Sequence, residues 1–305
     1  MKFKIVSDYK EAKELWQMFS SDQNLWDLWE VRDCFIRGTN HPLYFIVGYE
    51  GDEILGVLPL WHNIEEKNYS FIGDEFPEGN KLFLKDKKFL PEFLKQCPAE
   101  THLDYLNKDD KSFFPSFKIA VHPDDCYYHL DLTGLATFED YLQGFSKKHR
   151  KNLKYDLNGL STQGFMAGLE NDFEENIIDI ISRYNLERFK NDSFFAIPSF
   201  SKSLLNLILW AKEGGLLQMI IIKKSGQIYG AQFAILYKGA YTVIMGSHDS
   251  SIENLGKLLT VGHIKNAINL GVKEMDFMAS GEWKQLWQMS GSDVYEWDNL
   301  TGGQE

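Results

Sequence analysis

The stretch QMIIIKKSGQIYGAQFAIL, residues 218–236, consists of two apolar runs on either side of the dipeptide Ser225-Gly226. A Ser-Gly pair between runs of β-branched and aromatic residues predicts a β-hairpin with a two-residue turn. A third apolar segment, YTVIMGS at 241–247, follows it and predicts another strand of the same sheet. The centre of the second half of the chain is therefore predicted to be a three-stranded meander.

The first half of the chain contains the same pattern. Residues 44–62, YFIVGYEGDEILGVLPLWH, predict strand, turn and strand around Gly51-Asp52, and NYSFIGD at 68–74 predicts the third strand. At a constant offset along the chain, Gly56 matches Gly230, and each of these glycines comes two residues after an isoleucine. Two hairpins can be similar by chance, but tandem copies of one α/β unit also explain the length of the chain.

Helical periodicity fills much of the remaining sequence. Apolar residues recur every three or four positions in four segments that we expect to be amphipathic helices, at 9–20, 173–189, 199–215 and 255–271. A further helix is predicted to begin at Thr137, because Asp140 completes a capping box. The segment VKEMDFM, after the last of these helices, predicts a short strand. A meander followed by a crossover helix and another strand makes a mixed sheet with helices packed on it.

Length and charge limit the class of protein. A chain of 305 residues exceeds the usual size of one domain, about 100–200 residues, so we expect two domains. A strand-like segment breaks at Gly134, which places the domains at 1–134 and 135–305. The 44 acidic residues outnumber the 32 basic ones and give a net charge of -12, which argues against a DNA partner but not against one local anion site.

Cysteines and histidines show no metal-binding spacing in the sequence. Cys34, Cys97 and Cys126 form no CxxC pair and the histidines are scattered, so we expect no bound metal. The thiols fit a reducing compartment, with each cysteine acting as a small apolar residue. The N-terminus lacks a leader-like apolar segment, and no apolar run reaches the ~20 residues of a membrane span. We therefore expect a cytoplasmic protein.

One short stretch is strongly basic despite the acidic total. FSKKHRKNLKYDL, residues 145–157, carries four lysines and one arginine. On a helix, Arg150 and Lys154 lie four positions apart and can converge on one anion, to which arginine offers a planar fork and lysine a mobile charge. The alternative is a solvated helix face whose lysines only aid solubility.

Four segments, in this order, resemble the Fem-type peptidoglycan aminoacyltransferases and the related BioF/CelD-type acetyltransferase-like proteins of the GNAT superfamily. They are GDEILGVLPLW, FSKKHRKNLKYDLNGLSTQG, HDSSIENLGKLL and EMDFMASGEWKQLW. The last segment contains five residues that resemble the closing segment of the family: Asp276, Phe277, Gly281, Lys284 and Trp287. The resemblance covers nearly the whole chain.

The resemblance implies an α/β (α+β) fold with two tandem GNAT-like domains, each a mixed, mostly antiparallel sheet flanked by helices. It implies a degenerate first domain on the acceptor side and a second domain on the acyl-donor side. The expected activity is transfer of an acyl or aminoacyl group from acyl-CoA or aminoacyl-tRNA to an amine of a peptide, an amino sugar or a cell-envelope precursor. Such transfer needs no metal and no covalent enzyme intermediate. A tRNA is thus a possible partner.

The resemblance also implies residues that bind the substrates. Arg150 would contact the phosphates of a nucleotide-linked substrate, with Lys154 beside it, and Trp283 and Trp287 would line the substrate site.

Donor contacts would fall on the loop before the helix at 255–271 and on the start of that helix: His248, Asn254, Gly256 and Lys257. Free N–H groups at the start of a helix bind phosphate well. The usual signature (Q/R)-x-x-G-x-(G/A) is broken here, because Glu253 and Leu258 occupy two of its positions. Asn254 could instead be the cap of the helix.

Three residues are candidates for the catalytic step. In the resembling family a lysine at the position of Lys284 is important, and a cation among aromatic side chains can stabilise the oxyanion formed during acyl transfer. Glu282 could accept the proton of the acceptor amine, and Asp276, at a strand end, could be a base or a structural acceptor. The alternative for Lys284 is a surface lysine whose stem packs on Trp287.

A second class of function remains open. A GNAT-like scaffold that no longer uses a donor could hold an anionic ligand or a partner protein, and the broken donor signature favours it. The retained Lys284 segment argues against it. The sequence identifies neither the acyl group, nor the acceptor, nor the oligomeric state.

Overall fold

The computed structural model describes residues 1–106 and 126–299. Contacts between Cα atoms divide the chain into two compact units. The first unit contains Met1–Cys126, Ala279–Gly281 and Ser292–Glu305, and the second contains Tyr127–Met278 and Glu282–Gly291.

The first unit is built on an antiparallel sheet. Its strands are β1 (Lys2–Val6), β2 (Leu43–Glu50), β3 (Glu53–Asn63), β4 (Asn68–Phe71) and β5 (Phe83–Leu84). They follow the order β1-β2-β3-β4, and β5 also pairs with β3. The predicted hairpin is confirmed, because Glu50 pairs with Glu53 around the Gly51-Asp52 turn.

Helices and one smaller sheet complete the first unit. The helices are α1 (Tyr9–Phe19), α2 (Trp29–Gly38) and α3 (Leu90–Leu94), and the smaller sheet pairs β6 (His102–Leu106) with β14 (Tyr295–Asp298). Asp8 caps α1 by accepting a hydrogen bond from the Glu11 amide. The tryptophans of this half of the chain, Trp16, Trp26, Trp29 and Trp61, are buried in its interior.

The second unit is built on a seven-stranded sheet. The order is β13-β7-β12-β11-β10-β9-β8. The strands are β7 (Tyr127–Asp131), β8 (Met166–Glu170), β9 (Leu217–Lys224), β10 (Gln227–Tyr237), β11 (Ala240–His248), β12 (Glu274–Ala279) and β13 (Ser290–Ser292). The predicted hairpin is confirmed: Lys224 pairs with Gln227, and Ser225 and Gly226 both have positive φ angles, as a type I′ turn requires.

Five helices pack on or beside this sheet. They are α4 (Phe138–Gln143), α5 (Lys147–Thr162), α6 (Asn176–Phe189), α7 (Phe200–Glu213) and α8 (Gly256–Asn269). Thr137 and Asp140 form the predicted capping box at the start of α4. Gly262 of α8 lies so close to β9 that a Cβ atom there would come within 2.7 Å of the Ile220 side chain. Apolar residues of α5 and α8 pack against β9 in one cluster: Leu160, Phe165, Ile220, Ile222, Leu255 and Leu259.

The two larger sheets, one antiparallel and one mixed, are flanked by helices and confirm the predicted fold class. The predicted parallel pairing is that of β11 with β12. The contact division lies between Cys126 and Tyr127, because β7 is hydrogen-bonded within the seven-stranded sheet, and the domains 1–134 and 135–305 stay a prediction. In the part of the chain that the structure describes, no helix is both long and apolar enough to cross a membrane.

Candidate active site

The most distinctive feature of the second sheet is that β11 and β12 separate. They pair in parallel at Tyr241–Met275 and Thr242–Asp276, and in the described strands the β11–β12 ladder extends no further. β11 nevertheless continues to His248, which pairs with Gly230 of β10. A register shift in this pairing leaves Ile244 as an extra residue, so β11 carries a bulge. The far half of β11 therefore offers main-chain groups on its β12 side, where an extended group can add to the sheet.

A tight loop joins the end of β11 to α8. The Asp249 amide donates to the Tyr229 carbonyl, and the Asp249 carboxylate accepts hydrogen bonds from the amide and the hydroxyl of Ser251 at 3.0 and 2.6 Å. Asn254 lies at a φ of +65°, in the left-handed region. These contacts hold the loop in one turn-rich conformation directly before the helix.

The start of α8 lacks a side-chain cap. Its N-cap residue is Leu255, and among the described residues no side chain makes a cap hydrogen bond there. The alternative that Asn254 caps the helix is therefore wrong. The first-turn amides of Lys257 and Leu258 donate to the carbonyls of Asn254 and Leu255 at 2.9 and 3.0 Å. The expected anion-binding turn thus already uses two of its amides within the chain.

His248 and Gly256 are in direct contact across the loop. A Cβ atom on Gly256 would stand 2.6 Å from Cε1 and 3.0 Å from Nε2 of the imidazole. The pKa of His248 is lowered to about 4, chiefly by burial and also by the positive charge of Arg188, while the charge of Asp249 acts in the opposite direction. The imidazole is consequently neutral at physiological pH and borders the first residue of α8.

Lys257 bonds to another helix. Its Nζ lies 2.6 Å from Oδ2 of Asp156, a residue of α5, and both side chains are at least partly shielded from solvent. This ion pair connects the predicted donor loop to the basic helix. Asp156 was not among the predicted site residues, although it is a lone carboxylate within a basic stretch and could have been noticed for that reason.

The two residues predicted to share an anion bond to different partners. Arg150 donates through Nη1 to the Gln143 side chain at 2.8 Å, and Lys154 lies 2.8 Å from Glu139. Both partners belong to α4, so the two cations point toward that helix. Ser146 caps α5 by accepting the His149 amide at 3.2 Å, which sets where the basic helix begins.

Lys284 lies in the 3₁₀ helix Glu282–Trp287, which follows β12, and its side chain bonds to the backbone near the end of that strand. Its Nζ donates to the carbonyls of Phe277 and Met278 at 2.7 and 3.1 Å, and only 6% of the residue is exposed. The ammonium also lies 5.4 Å from the centre of the Tyr128 ring. The expected aromatic wall is therefore Tyr128 on β7, a residue that the sequence did not single out, and the surface position considered as the alternative is wrong.

Asp276 lies at the same strand end. Its Oδ1 accepts the Met278 amide at 2.7 Å. Burial raises the pKa of this carboxyl group, while the charges of His129 and Lys284 act in the opposite direction. Asp276 and Lys284 therefore both hold the backbone around Met278, which has a φ of +60°.

The two predicted tryptophans differ in exposure. Trp287 is buried, and its carbonyl accepts the Tyr141 hydroxyl at 2.6 Å, whereas 44% of Trp283 is exposed. Glu282 is exposed at the start of the same short 3₁₀ helix, Glu282–Trp287. Of the two indoles, Trp283 is thus the one that can meet a ligand from solvent.

The predicted residues consequently fall into two groups within the second unit. One group lies where β11 meets α8, and Lys257 connects it to α5. The other lies at the end of β12 and includes Lys284 and Asp276.

Comparisons with known proteins agree with this geometry. Residues 147–285 match the family model of the acetyltransferase (GNAT) domain. A search of the curated proteins found no match.

Similar solved structures span almost the whole chain. L-PGS from Bacillus licheniformis has a TM-score of 0.59 at 11% identity, with 96% of this chain and 92% of that chain covered. FemX has a TM-score of 0.57 at 11% identity, with 99% and 98% covered. A tandem GNAT protein from the clavulanic acid biosynthesis pathway has a TM-score of 0.54 at 11% identity, with 99% of each chain covered.

At such low identities these similarities concern the fold. The family match covers the strand separation, the loop and α8, which are the features that the resemblance of the sequence had implied. Residues 147–285 are therefore similar to a GNAT acetyltransferase domain, and the chain as a whole shares the fold of FemX and of the tandem GNAT protein.

Proposed function

We propose that this protein is an N-acyltransferase that moves an acyl or aminoacyl group onto the amine of a peptide, an amino sugar or a cell-envelope precursor. The observation that carries the proposal is the separation of β11 from β12 after Thr242 and Asp276, directly before the loop that leads into α8. A strand that loses its neighbour within a sheet can pair with the amide groups of an extended ligand. An acyl donor with an amide-containing arm has that chemistry.

The reaction would need little from the protein beyond binding and proton transfer. The amine nitrogen attacks the carbonyl carbon of the donor, and a C–N bond forms while the carbonyl oxygen takes up negative charge. The oxyanion then collapses, the C–S bond of a thioester or the C–O bond of an ester breaks, and the amine proton ends on the leaving group. Positioning of the two reactants supplies much of the acceleration in such reactions.

Every predicted residue except Trp287 has a role in this proposal. His248, Asn254, Gly256 and Lys257 shape the donor site where β11 meets α8. Arg150 and Lys154 present cations on the same side of α5, and both would have to exchange their α4 partners for the anionic part of a substrate.

The residues near β12 would act on the acceptor side of the reaction. Exposed Trp283 would contact the acceptor and Glu282 would take its proton, whereas Trp287 is a core residue. Lys284 is already bonded to two carbonyls, so we assign it a positioning role at the strand end, with Asp276.

The donor can be either acyl-CoA or aminoacyl-tRNA. The similarity to the tandem GNAT protein of the clavulanic acid pathway, a structure determined without AcCoA, favours coenzyme A, and the resemblance of the sequence to Fem-type aminoacyltransferases favours an aminoacyl donor. Glu253 in the signature and the two internally bonded amides of α8 weaken a pyrophosphate site of the usual kind. We therefore propose that the two donors be tested side by side.

A thermal-shift series with acetyl-CoA, longer acyl-CoAs and aminoacyl-tRNA tests the proposal, together with turnover on a UDP-linked muropeptide. A functional donor should raise the melting temperature, and Gly256→Ala should reduce that rise. Arg150→Ala should weaken binding of the anionic substrate, while the matched control Lys148→Ala, on the exposed face of the same helix, should not.

The competing function is a GNAT-like binding module without a donor. It would be favoured if none of these donors changed the melting temperature and none supported turnover, while an anionic ligand still bound in an Arg150-dependent manner. Donor binding together with product formation would exclude it.

A further inference from the structure

Three side chains with metal-binding atoms meet in the first unit, on the small sheet of β6 and β14. Nε2 of His102 lies 2.7 Å from Oδ1 of Asp104 and 3.7 Å from Oε2 of Glu296. The three ligand atoms all lie within 4.8 Å of one another. No sequence pattern indicated this cluster, because Glu296 lies far along the chain from the other two residues.

Strand geometry brings these residues to one point. His102 and Asp104 are two positions apart on β6, so their side chains share a face of the strand. In the pairing with β14, Tyr295 lies opposite Leu106 and Trp297 opposite Leu103, which leaves two β6 residues opposite Glu296. The register shift is a β-bulge of the kind that redirects side chains.

The distances fit one bound ion. Ligand atoms at about 2.0–2.2 Å from a common metal stand roughly 3–3.5 Å apart in tetrahedral or octahedral geometry. The distances from His102 Nε2 to the two carboxylates, 2.7 and 3.7 Å, bracket this range, so small rotations of the side chains would suffice. One imidazole nitrogen and two carboxylates suit first-row transition metals such as Zn²⁺ better than Ca²⁺ or Mg²⁺, which prefer oxygen ligands.

Burial and charge also favour a cation. The side chains of His102, Asp104 and Glu296 are only 25%, 13% and 15% exposed. The negative charge of Glu75 also acts on His102, so three carboxylates surround one imidazole. A divalent ion would offset this excess of negative charge in a partly dehydrated place.

Two polar atoms beside the cluster lack partners. Nδ1 of His102 is buried and makes no hydrogen bond within the described residues. Asn80, which is only 3% exposed, donates to the Asp104 carbonyl at 3.2 Å, while its Oδ1 is likewise buried and unpaired in the described part of the chain. Buried polar atoms without partners are rare, and an ordered water beside the cluster commonly explains them.

We propose that His102, Asp104 and Glu296 bind one divalent transition-metal ion, with Zn²⁺ as the best fit. The ion would cross-link β14 and β6 within the first unit and would stabilise their pairing. This inference does not depend on the proposed acyl transfer, because none of the three residues belongs to the groups around β11, α8 and the end of β12.

The alternative is a metal-free ion pair. The Asp104 carboxylate raises the pKa of His102 to about 9, and burial opposes this rise. An imidazolium between two carboxylates would hold the same three residues together without a metal. Direct metal binding distinguishes the two arrangements.

Metal titration of the full chain, purified without a histidine tag and treated with a chelator, tests the proposal. Calorimetry with Zn²⁺ should show one ion per chain, and Co²⁺ should produce visible absorption bands. Glu296→Gln keeps the size of the side chain and should weaken binding by more than about tenfold, as should His102→Ala, since even outer contacts of a metal site are worth 10–100-fold. His129→Ala is the matched control, because His129 lies 3.7 Å from the single carboxylate Glu274 in the second unit.

The outcomes are distinct. Saturable binding that Glu296→Gln weakens and His129→Ala leaves intact supports the metal site. Binding too weak to saturate, or binding unchanged in Glu296→Gln and Asp104→Asn, would overturn it in favour of the imidazolium pair. Circular dichroism identifies any variant that fails to fold, and the two near-isosteric amide variants then decide the question.

Discussion

The imidazole of His248 stands where a side chain on Gly256 would have to be, 2.6 Å from the position of its Cβ atom. The last residue of β11 and the first residue of α8 thus contact each other, and the loop between them is closed at its base. A glycine is required at this position by space and not by backbone angle, since Gly256 is the first residue of a right-handed helix. The geometry of the proposed donor site depends on this contact.

Gly256→Ala should destabilise the protein and weaken donor binding. The added methyl group must displace the imidazole, and overpacking of this kind costs about 1–3 kcal/mol. Urea unfolding measures the loss of stability, and the Michaelis constant for the donor measures the displacement of the loop.

Gly159→Ala is the control for this substitution. Gly159 lies inside α5, and a Cβ atom there would meet nothing within 4 Å. Removing a helix glycine without a clash should stabilise the protein by about 0.5–1 kcal/mol. Equal effects of the two substitutions would show that the His248–Gly256 contact has no importance.

His248 should make stability depend on pH in the acidic range. Its pKa falls from an ordinary 6.5 to about 4 on folding, so the unfolded chain binds the proton more readily. The contribution of the neutral His248 to the free energy of unfolding is complete above pH 6.5, and it is lost as the pH falls from 6.5 to about 4. At about 1.4 kcal/mol for each pKa unit, the loss amounts to no more than roughly 3.5 kcal/mol.

Unfolding curves at several pH values, with wild type and His248→Gln, measure this effect. The variant should lack this part of the acid sensitivity. Arg188→Ala should diminish it, because the Arg188 charge is one cause of the lowered pKa. Identical pH profiles for wild type and His248→Gln would contradict the buried, neutral imidazole.

The Lys257–Asp156 pair should couple α8 to α5 only modestly. Lys257 is 35% and Asp156 20% exposed, so solvent screens much of the attraction. A double-mutant cycle with Lys257→Met and Asp156→Asn should give a coupling energy of about 0.2–1 kcal/mol that decreases with salt. The more exposed pair Lys154–Glu139 is the control and should give less. A coupling energy well above this range would show that the ion pair is a main stabilising contact between α8 and α5.

Lys284→Met should reduce stability more than catalysis. The substitution removes the ammonium group that donates hydrogen bonds to the carbonyls of Phe277 and Met278. A buried polar group left unpaired lowers the free energy of unfolding by about 1–3 kcal/mol. If Lys284 only positions the strand, the turnover number of the folded enzyme should fall by less than about tenfold. A fall of about 10²–10³ with unchanged stability would instead show that the ammonium stabilises the oxyanion directly.

Local sequence patterns predicted most of the fold. The turns Gly51-Asp52 and Ser225-Gly226, and the capping box of Thr137 and Asp140, are all present, because each depends on residues within a few positions. The helix at 255–271 is shorter by a residue or two at each end, as α8 spans Gly256–Asn269. The pairing of β6 with β14 was not predicted, because no local pattern joins segments so far apart in the chain.

The site was predictable only in part. The loop around Gly256 was found through its resemblance to a known family, but the partners of its side chains were not. Lys257 bonds to Asp156, and Lys284 bonds to the carbonyl of Phe277, because the sheet brings distant segments together. Charge spacing alone suggested that Arg150 and Lys154 share one anion, whereas each has a separate partner on α4.

Hydrogen exchange followed by mass spectrometry, with and without an acyl donor, tests the central claim most directly. If the separated half of β11 and the start of α8 form the donor site, acetyl-CoA or aminoacyl-tRNA should slow exchange of amides within 243–248 and 256–258. Unchanged exchange in both segments at saturating concentrations of either donor would contradict a donor site there.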